Sequence, residues 1–341
     1  MKIVSTFLLS NAVESDLLFY KLLIEDPYVS EWVIVVNRYS FRGQVLDFDV
    51  EALLGQSRLS RFKNRIRVIK LTKRYIDEYE PSVRELAERL VKRALNRVRK
   101  RKYHVPPLLE LAYFYAEIKQ RDAALGYILD KYDDETFLVP CDVDEILDLH
   151  EGKAELLSSY VRSSKQQDIF VVFRCVHYYD FDNYAHHAPC LGTLVRLRHI
   201  RAHGWNLHTY RHLRGYQRYL VPNLKLVFEY RHCFSVDASV EKLDTFSHVT
   251  GISKPDVELC LSLNIPLMKS ENVRAALGED KNLFSTIRLD ASNSPAFVRN
   301  NLSTIKTNIV PQDYAAAREA FAGRHSIGVA YDAGQEPVQS G

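Results

Sequence analysis

Three pairs of aspartates, each separated by one residue, have the composition to hold a cation against phosphate: Asp47-Phe48-Asp49, Asp142-Val143-Asp144 and Asp180-Phe181-Asp182. A hard divalent ion such as Mn²⁺ or Mg²⁺ takes oxygen ligands, usually one or two carboxylates with phosphate and water completing the shell. As a Lewis acid it stabilises the charge left on a departing diphosphate. So short a pattern recurs by chance, and its setting has to choose among the copies. Only the middle pair comes after a continuous apolar run, Phe137-Leu138-Val139, itself preceded by the acidic turn Asp133-Asp134-Glu135. That places its carboxylates at the carboxyl edge of a buried strand, where open α/β sheets bind ligands. On extended backbone Asp142 and Asp144 would point to one side, with Asp144 as direct ligand and Asp142 orienting a water or a ribose. The plainer alternative is that they cap a subsequent turn or helix, with Glu145 a first-turn acid favoured by the dipole rather than a metal or sugar contact.

The elements needed to position this run are legible around it. Short β-branched stretches at residues 3–9, 32–36, 67–71 and 136–140 read as strands, each bounded by polar or breaker residues. Helical spacing occupies 13–24, 81 to about 102 and 107–129, the last two opening on proline, which a first helical turn accepts. The order β-α-β-β-α-α-β predicts an α/β fold with a largely parallel, helix-covered sheet. Residues 169–176 and 224–230 also read as strands, 191–219 as helix and loop, 313–322 as a short helix, and 330–341 as a mobile tail without apolar periodicity.

Composition narrows the class. The 341 residues are 46% hydrophobic, enough for a large core, and 46 basic against 43 acidic side chains leave a net charge of +3, with no global pull toward polyanions. Five scattered cysteines without a C-x-x-C pair argue against a disulfide framework or a thiolate zinc site and point to a reducing compartment. The apolar start is shorter than the roughly 20 residues a membrane-spanning helix needs, so a cytoplasmic protein without a transmembrane segment is expected. Local charge is less even. Lys92, Arg93, Arg97, Arg99, Lys100, Arg101 and Lys102 form a basic run without an acid, and residues 196–219 interleave Arg and His with Trp205, Tyr210, Tyr216 and Tyr219. These are a solvated helix face and a sugar-stacking wall, or else a phosphate-contacting surface for nucleic acid.

Several separated segments together resemble glycosyltransferase family 17, the group containing the β-1,4-mannosyl-glycoprotein β-1,4-N-acetylglucosaminyltransferases. They are Thr6-Phe7-Leu8-Leu9-Ser10-Asn11 with Glu14 and Leu17-Leu18; Trp32 to Val36 and then Ser40-Phe41-Arg42-Gly43; Gln120-Arg121-Asp122; Asp142-Val143-Asp144-Glu145-Ile146; and His232, Phe234-Ser235, Glu241-Lys242-Leu243 and Phe246-Ser247-His248. The resemblance implies a GT-A (Rossmann-like) domain that transfers sugar from a nucleotide-diphosphate donor, a UDP-sugar, to a hydroxyl of a glycan with inversion. The expected donor contacts are Thr6, Phe7, Arg42, Arg121, Asp142 and Glu145, the expected metal ligands Asp144, Asp142 and His248, and the expected acceptor contacts His232, Tyr178, Tyr179 and Trp205. Leu147, Arg231, Val249-Thr250 and Asn37 depart from the family's usual residues, so sugar and acceptor do not carry over.

An inverting transfer needs a carboxylate to take the acceptor's proton. Asp237, between His232 and His248, is a candidate, with Glu229 and Asp182 as alternatives. Residues 1–150 are the expected nucleotide-sugar half, 151–310 the acceptor half, and 311–341 a terminal helix and tail. Two other outcomes stay open: the same transfer onto a hydroxylated base of DNA, and a non-catalytic nucleic-acid-binding protein. A nucleotidyltransferase fits less well, since Leu8 to Leu18 contains no glycine for a phosphate loop.

Overall fold

The β-branched runs of the first half become four parallel strands: β1 (Ile3–Leu8), β2 (Glu31–Asn37), β3 (Ile66–Leu71) and β4 (Phe137–Pro140), in the spatial order β3-β2-β1-β4. In the computed structural model the described residues are 1–99, 105–164, 166–179, 181, 183–185, 190–211, 213, 220–233, 236–245, 252–263, 284–286, 288–290 and 293–309. Thr6 lies between Val33 of β2 and Pro140 of β4, which fixes the register at the centre of the sheet.

Side-chain alternation sends each strand's residues to two layers. Ile3, Phe7, Trp32 and Ile34 pack with Leu18 and Leu22 of α1 (Ser15–Glu25), whereas Val4, Val33 and Val35 meet Ala124 and Ile128 on the opposite face. Those two come from α5 (Leu108–Lys131). Between β2 and α5 lie the short helices α2 (Val50–Leu54) and α3 (Ser57–Ser60) and the longer α4 (Val83–Arg99). With both faces covered, β2 is buried along its whole length, as a central parallel strand should be.

The acidic run leads into a short strand, β5 (Glu145–Leu147), and then into α6 (Lys153–Ser163). The second half adds β6 (Ile169–Tyr178), β7 (Asn183–Ala185), β8 (Cys190–Arg196), β9 (Leu220–Arg231) and β10 (Phe284–Thr286). Its helices are α7 (Leu197–His203), α8 (Leu207–Arg211), α9 (Val236–Thr245), α10 (Lys254–Leu263) and α11 (Ala296–Ile309). Strand β8 runs antiparallel between β4 and β6, and β9 pairs parallel with β6 and antiparallel with β5.

The chain thus forms the expected mixed α/β sheet flanked by helices, ten-stranded among the described residues. Parallel pairing is continuous through the first four strands and recurs at β6–β9. One element departs from expectation: residues 191–196, predicted as helix and loop, belong to strand β8. The apolar Leu194 and Val195 need two covered faces, and Gly192 lets β8 pass Val227, whose Cγ2 would stand 2.6 Å from a Cβ there. The predicted helix at 313–322 and the tail lie outside the described residues. Among the described residues no helix is long and apolar enough to cross a membrane.

Candidate active site at the carboxyl edge of the sheet

Beyond Pro140 the chain stays with β1 for one more hydrogen bond, from Cys141 N to Thr6 O at 3.0 Å, and then turns. Glu145 N donates to Asp142 O at 3.1 Å, and the Glu145 carboxylate accepts from Asp142 N at 3.0 Å. The backbone is therefore a closed turn, not extended, and it runs into strand β5 instead of a helix. Both local expectations are corrected by this geometry: Asp142 and Asp144 meet different cations, and neither caps a helix.

Buried charges hold the turn in place. Lys21 of α1 reaches through the core to donate to Glu145 O at 2.5 Å and to Glu25 at 2.7 Å, while Glu25 accepts from Leu147 N at 2.9 Å and Trp32 Nε1 at 2.8 Å. On the other side Tyr230 N donates to Asp144 O at 2.9 Å, and Glu145 sits directly opposite Glu229 in the β5–β9 pair.

The side chains of the turn are enclosed by cations. Asp142 pairs with Arg121 at 2.7 Å and with Arg211; Glu145 pairs with Arg211 at 2.9 Å and with Arg174. Arg121, on the inner face of α5, also donates to Cys141 O at 3.2 Å and to Glu117 at 2.9 Å. Asp144 pairs with Lys242 of α9 at 2.8 Å, and Lys242 with Glu14 at 3.0 Å. Glu229 pairs with Arg174 at 3.1 Å and with Arg231.

Burial alone would raise Asp142, Glu145, Glu229 and Glu14, and their partners decide the outcome. At Asp142 the burial penalty is overcome by Arg121 and Arg211, which hold it well below the usual carboxylate range. At Glu145 Arg174 and Arg211 likewise win and lower it. Glu229 and Glu14 stay raised, because burial outweighs Arg174 and Arg231 at the first and Lys242 at the second.

Two narrow clefts open beside the turn, at the carboxyl ends of β1, β2 and β4. The first, a cavity of about 10 Å³ with room for about one water, is lined by Thr6, Phe7, Val35, Pro140, Arg121 and Arg211 among others. The second, also about 10 Å³, shares Leu8 and Val35 with it and continues past Ser10, Asn37, Phe41 and Gln120. A wider hollow of about 330 Å³ lies by Lys2, Phe137 and Arg196, at the amino ends of β1 and β4. It is larger, but it is on the edge away from the acidic turn, and ligands of open α/β sheets bind at the carboxyl edge, where the two clefts lie.

The expected donor residues Thr6, Phe7 and Arg121 line the first cleft, with Asp142 and Glu145 paired to the arginines of its wall; Thr6 Oγ1 is committed to Val33 O at 3.0 Å. Arg42 lies outside both clefts, 6.0 Å from the Tyr113 ring. Of the expected acceptor residues, Tyr179 and His232 succeed adjacent strands β6 and β9 in the left-handed region, with φ of 62° and 53°. Such backbone is strained for residues with side chains, by about 1–3 kcal/mol each, and strain of this kind collects at functional sites. Trp205 packs instead against His199, His203 and Tyr210 in a helical layer. Asp237 is 80% exposed and paired with Lys254 at 2.6 Å, whereas Glu229 joins the buried network. Asp182, His248 and the side chain of Tyr178 lie outside the described residues, as do Lys100, Arg101, Lys102 and the side chains of Arg97 and Arg99; Lys92 and Arg93 are exposed on α4. In the second basic stretch Arg198 is neutralised by Glu135 at 2.8 Å and Asp168 at 2.6 Å, and Arg196 and Arg201 pair with Glu135 and Asp134.

Arg174, Arg211 and Lys21 stand at the turn without having been singled out in the sequence, and Glu14 and Lys242, which belong to the resembling segments, were given no site role there. Arg174 did leave a signal, a lone charge inside the apolar run of β6, which requires a buried partner.

The donor set does not fit a divalent ion as it stands. Among the described residues no three His, Cys, Asp or Glu side chains converge as ligands, both Asp142 oxygens are taken by guanidinium groups, and Lys242 occupies Asp144 Oδ2.

No family model matches the sequence, and no curated protein matches it. Among solved structures the chain is similar to the galactosyltransferase LgtC in complex with donor and acceptor sugar analogs, at 12% identity over 60% of each chain with a TM-score of 0.26. It is also similar to an active-site mutant of LgtC, at 14% identity over 63% of this chain and 66% of that one, with a TM-score of 0.27. The chain thus spans less than two thirds of the length of either. At these scores the likeness decides neither fold nor activity.

Proposed function

We propose that the protein transfers a sugar from a nucleotide-diphosphate donor, a UDP-sugar, to a hydroxyl of a glycan, with inversion, as a hexosyl- or N-acetylhexosaminyltransferase. The observation that carries this reading is the pair of buried guanidiniums, Arg121 and Arg211, lining the cleft at the carboxyl edge of the parallel strands and anchored on Asp142. Planar guanidinium donors suit a diphosphate, and in a water-poor cleft they are pre-aimed at the charge that develops as it leaves.

In the reaction a base takes the proton of the acceptor hydroxyl, its oxygen bonds to the anomeric carbon from the face opposite the phosphate, and the bond to the nucleotide diphosphate breaks. Among the three base candidates Glu229 has the best support: it shares Arg174 with Glu145, and burial raises its proton affinity toward a working range. Because the described donors do not fit a divalent ion, no step is assigned to one.

The test is a thermal-shift panel of nucleotide sugars, each with and without Mn²⁺, and then an assay of nucleotide diphosphate release with glycan acceptors. A ligand that binds only the folded chain raises its apparent Tm by mass action. The expected result is a shift with one donor class and release that depends on acceptor. Absence of a shift with every donor, metal present or not, contradicts the proposal.

A further inference from the structure

The second basic and aromatic stretch plays no part in the donor cleft up to residue 203, and its arginines there are already paired: Arg196, Arg198 and Arg201 rest on Glu135, Asp168 and Asp134. Two of its histidines, His199 and His203, stand one turn apart on α7, where positions i and i+4 share a face. Their rings lie nearly parallel, with 4.0 Å between centroids and 14° between planes. Two metal–nitrogen bonds of about 2.0–2.1 Å together span about 4 Å, so rings this close can serve one ion.

Hydrogen bonds decide which nitrogens are left to do so. His203 Nδ1 lies 3.0 Å from His199 O, and a carbonyl only accepts; Nδ1 therefore carries the proton, and Nε2 of the neutral ring carries the lone pair. His199 Nδ1 meets the Tyr210 hydroxyl at 2.8 Å, and when Nδ1 donates there its Nε2 is bare as well. A ring nitrogen that donates to an oxygen while the other binds is the usual support of a metal-ligating histidine. Among the described residues neither Nε2 has a hydrogen-bond partner. Burial and then the neighbouring His203 lower the proton affinity of the His199 ring, which favours the neutral form a ligand must have.

We propose that His199 and His203 chelate one divalent transition-metal ion of the imidazole-binding kind, Zn²⁺, Cu²⁺ or Ni²⁺, through their Nε2 atoms, with water in its remaining positions. Imidazole suits these ions, whereas Mg²⁺ and Mn²⁺ prefer oxygen ligands. The ion clasps the last turn of α7 ahead of Gly204, which takes the left-handed backbone that ends the helix. Trp205 stands against both rings, its centroid 5.3 Å from that of His199 and 5.7 Å from that of His203, so it reports occupancy. The two histidines line neither cleft of the donor site, and each reading can fail without the other.

The experiment titrates Cu²⁺ into the full chain as wild type, His199→Gln and His203→Gln, and follows tryptophan emission. Bound Cu²⁺ quenches a nearby indole, and the other tryptophan of the sequence, Trp32, is fully buried in the sheet. His203 is exposed, so the circular dichroism of His203→Gln should match that of wild type. The expected result is saturable quenching, reversed by excess Zn²⁺ but not by equal concentrations of Mg²⁺ or Mn²⁺, with affinity reduced by about tenfold or more in each variant. Zn²⁺ should likewise raise the Tm of wild type and leave that of both variants in place. Quenching that does not saturate, that Mn²⁺ relieves as well as Zn²⁺ does, or that is undiminished in His203→Gln overturns the proposal.

Discussion

Two segments of this chain carry the same aspartate pattern and use it in opposite ways. Asp47 and Asp49 are exposed, and Asp49 accepts from Glu51 N at 3.0 Å and Ala52 N at 3.1 Å as the N-cap of α2. Asp142-Val143-Asp144 closes a turn beside a cleft, with Asp142 on Arg121 and Arg211 and Asp144 on Lys242. The difference lies in the element each pair leads into and in the side chains around it. A helix start offers free N–H groups and takes a carboxylate as a cap. In the turn between β4 and a strand paired to β9, Asp142 N goes to the Glu145 carboxylate, and Asp142 and Asp144 rest on buried cations from other elements.

Substitutions in the two segments should therefore separate sharply. The largest effect is expected at Arg211→Ala, which strips both Asp142 and Glu145 of a buried partner. Breaking such a pair costs about 3–5 kcal/mol of stability, measurable by urea unfolding, and should cut transfer by about a hundredfold or more. Next comes Lys242→Met, which leaves Glu14 and Asp144 facing one another without their shared ammonium. The variant should be less stable than wild type and should gain more in Tm from Mn²⁺ than wild type does; equal gains would show that Lys242 does not hold the two carboxylates.

A pH effect of intermediate size is tied to His232. Burial, then the charges of Lys242 and Arg231, lower its ring to about 3. The folded value lies below the unfolded one of about 6.5, so the unfolded state binds more protons between them. Stability from this group is complete above about pH 6.5 and is lost as pH falls toward 3. Glu14 and Glu229, being raised, act with the opposite sign and lose stability as pH rises through their folded values. Urea midpoints of His232→Gln should decline less than those of wild type on acidification below about pH 6.5. The smallest effect is expected at Asp49→Ala, which removes a cap worth about 1 kcal/mol and should leave donor binding unchanged.

The parallel half of the fold was legible because its strands are buried on both faces and read as unbroken apolar runs, from Trp32 to Val36 and from Phe137 to Val139. Proline at 107 marked the start of α5 for the same local reason. Strand β8 was not legible, because Arg196 and the glycine at 192 mask its alternation. The position of the acidic turn could be read from the strand before it, and Arg121 from the resemblance. Arg174 and Arg211 could not be found that way, and Lys242, though inside a resembling segment, had no role assigned, since β6, α8 and α9 reach the turn through tertiary packing that no local spacing records. The family resemblance is unmatched by any family model, and its finer implications stand as proposals.

The most direct test of the central claim is calorimetric titration of the donor that gives the thermal shift into wild type, Asp49→Ala and Asp142→Ala. If the turn and its arginines hold the nucleotide diphosphate, wild type and Asp49→Ala bind alike while folded Asp142→Ala loses most of its affinity. Equal affinity in all three would contradict the claim.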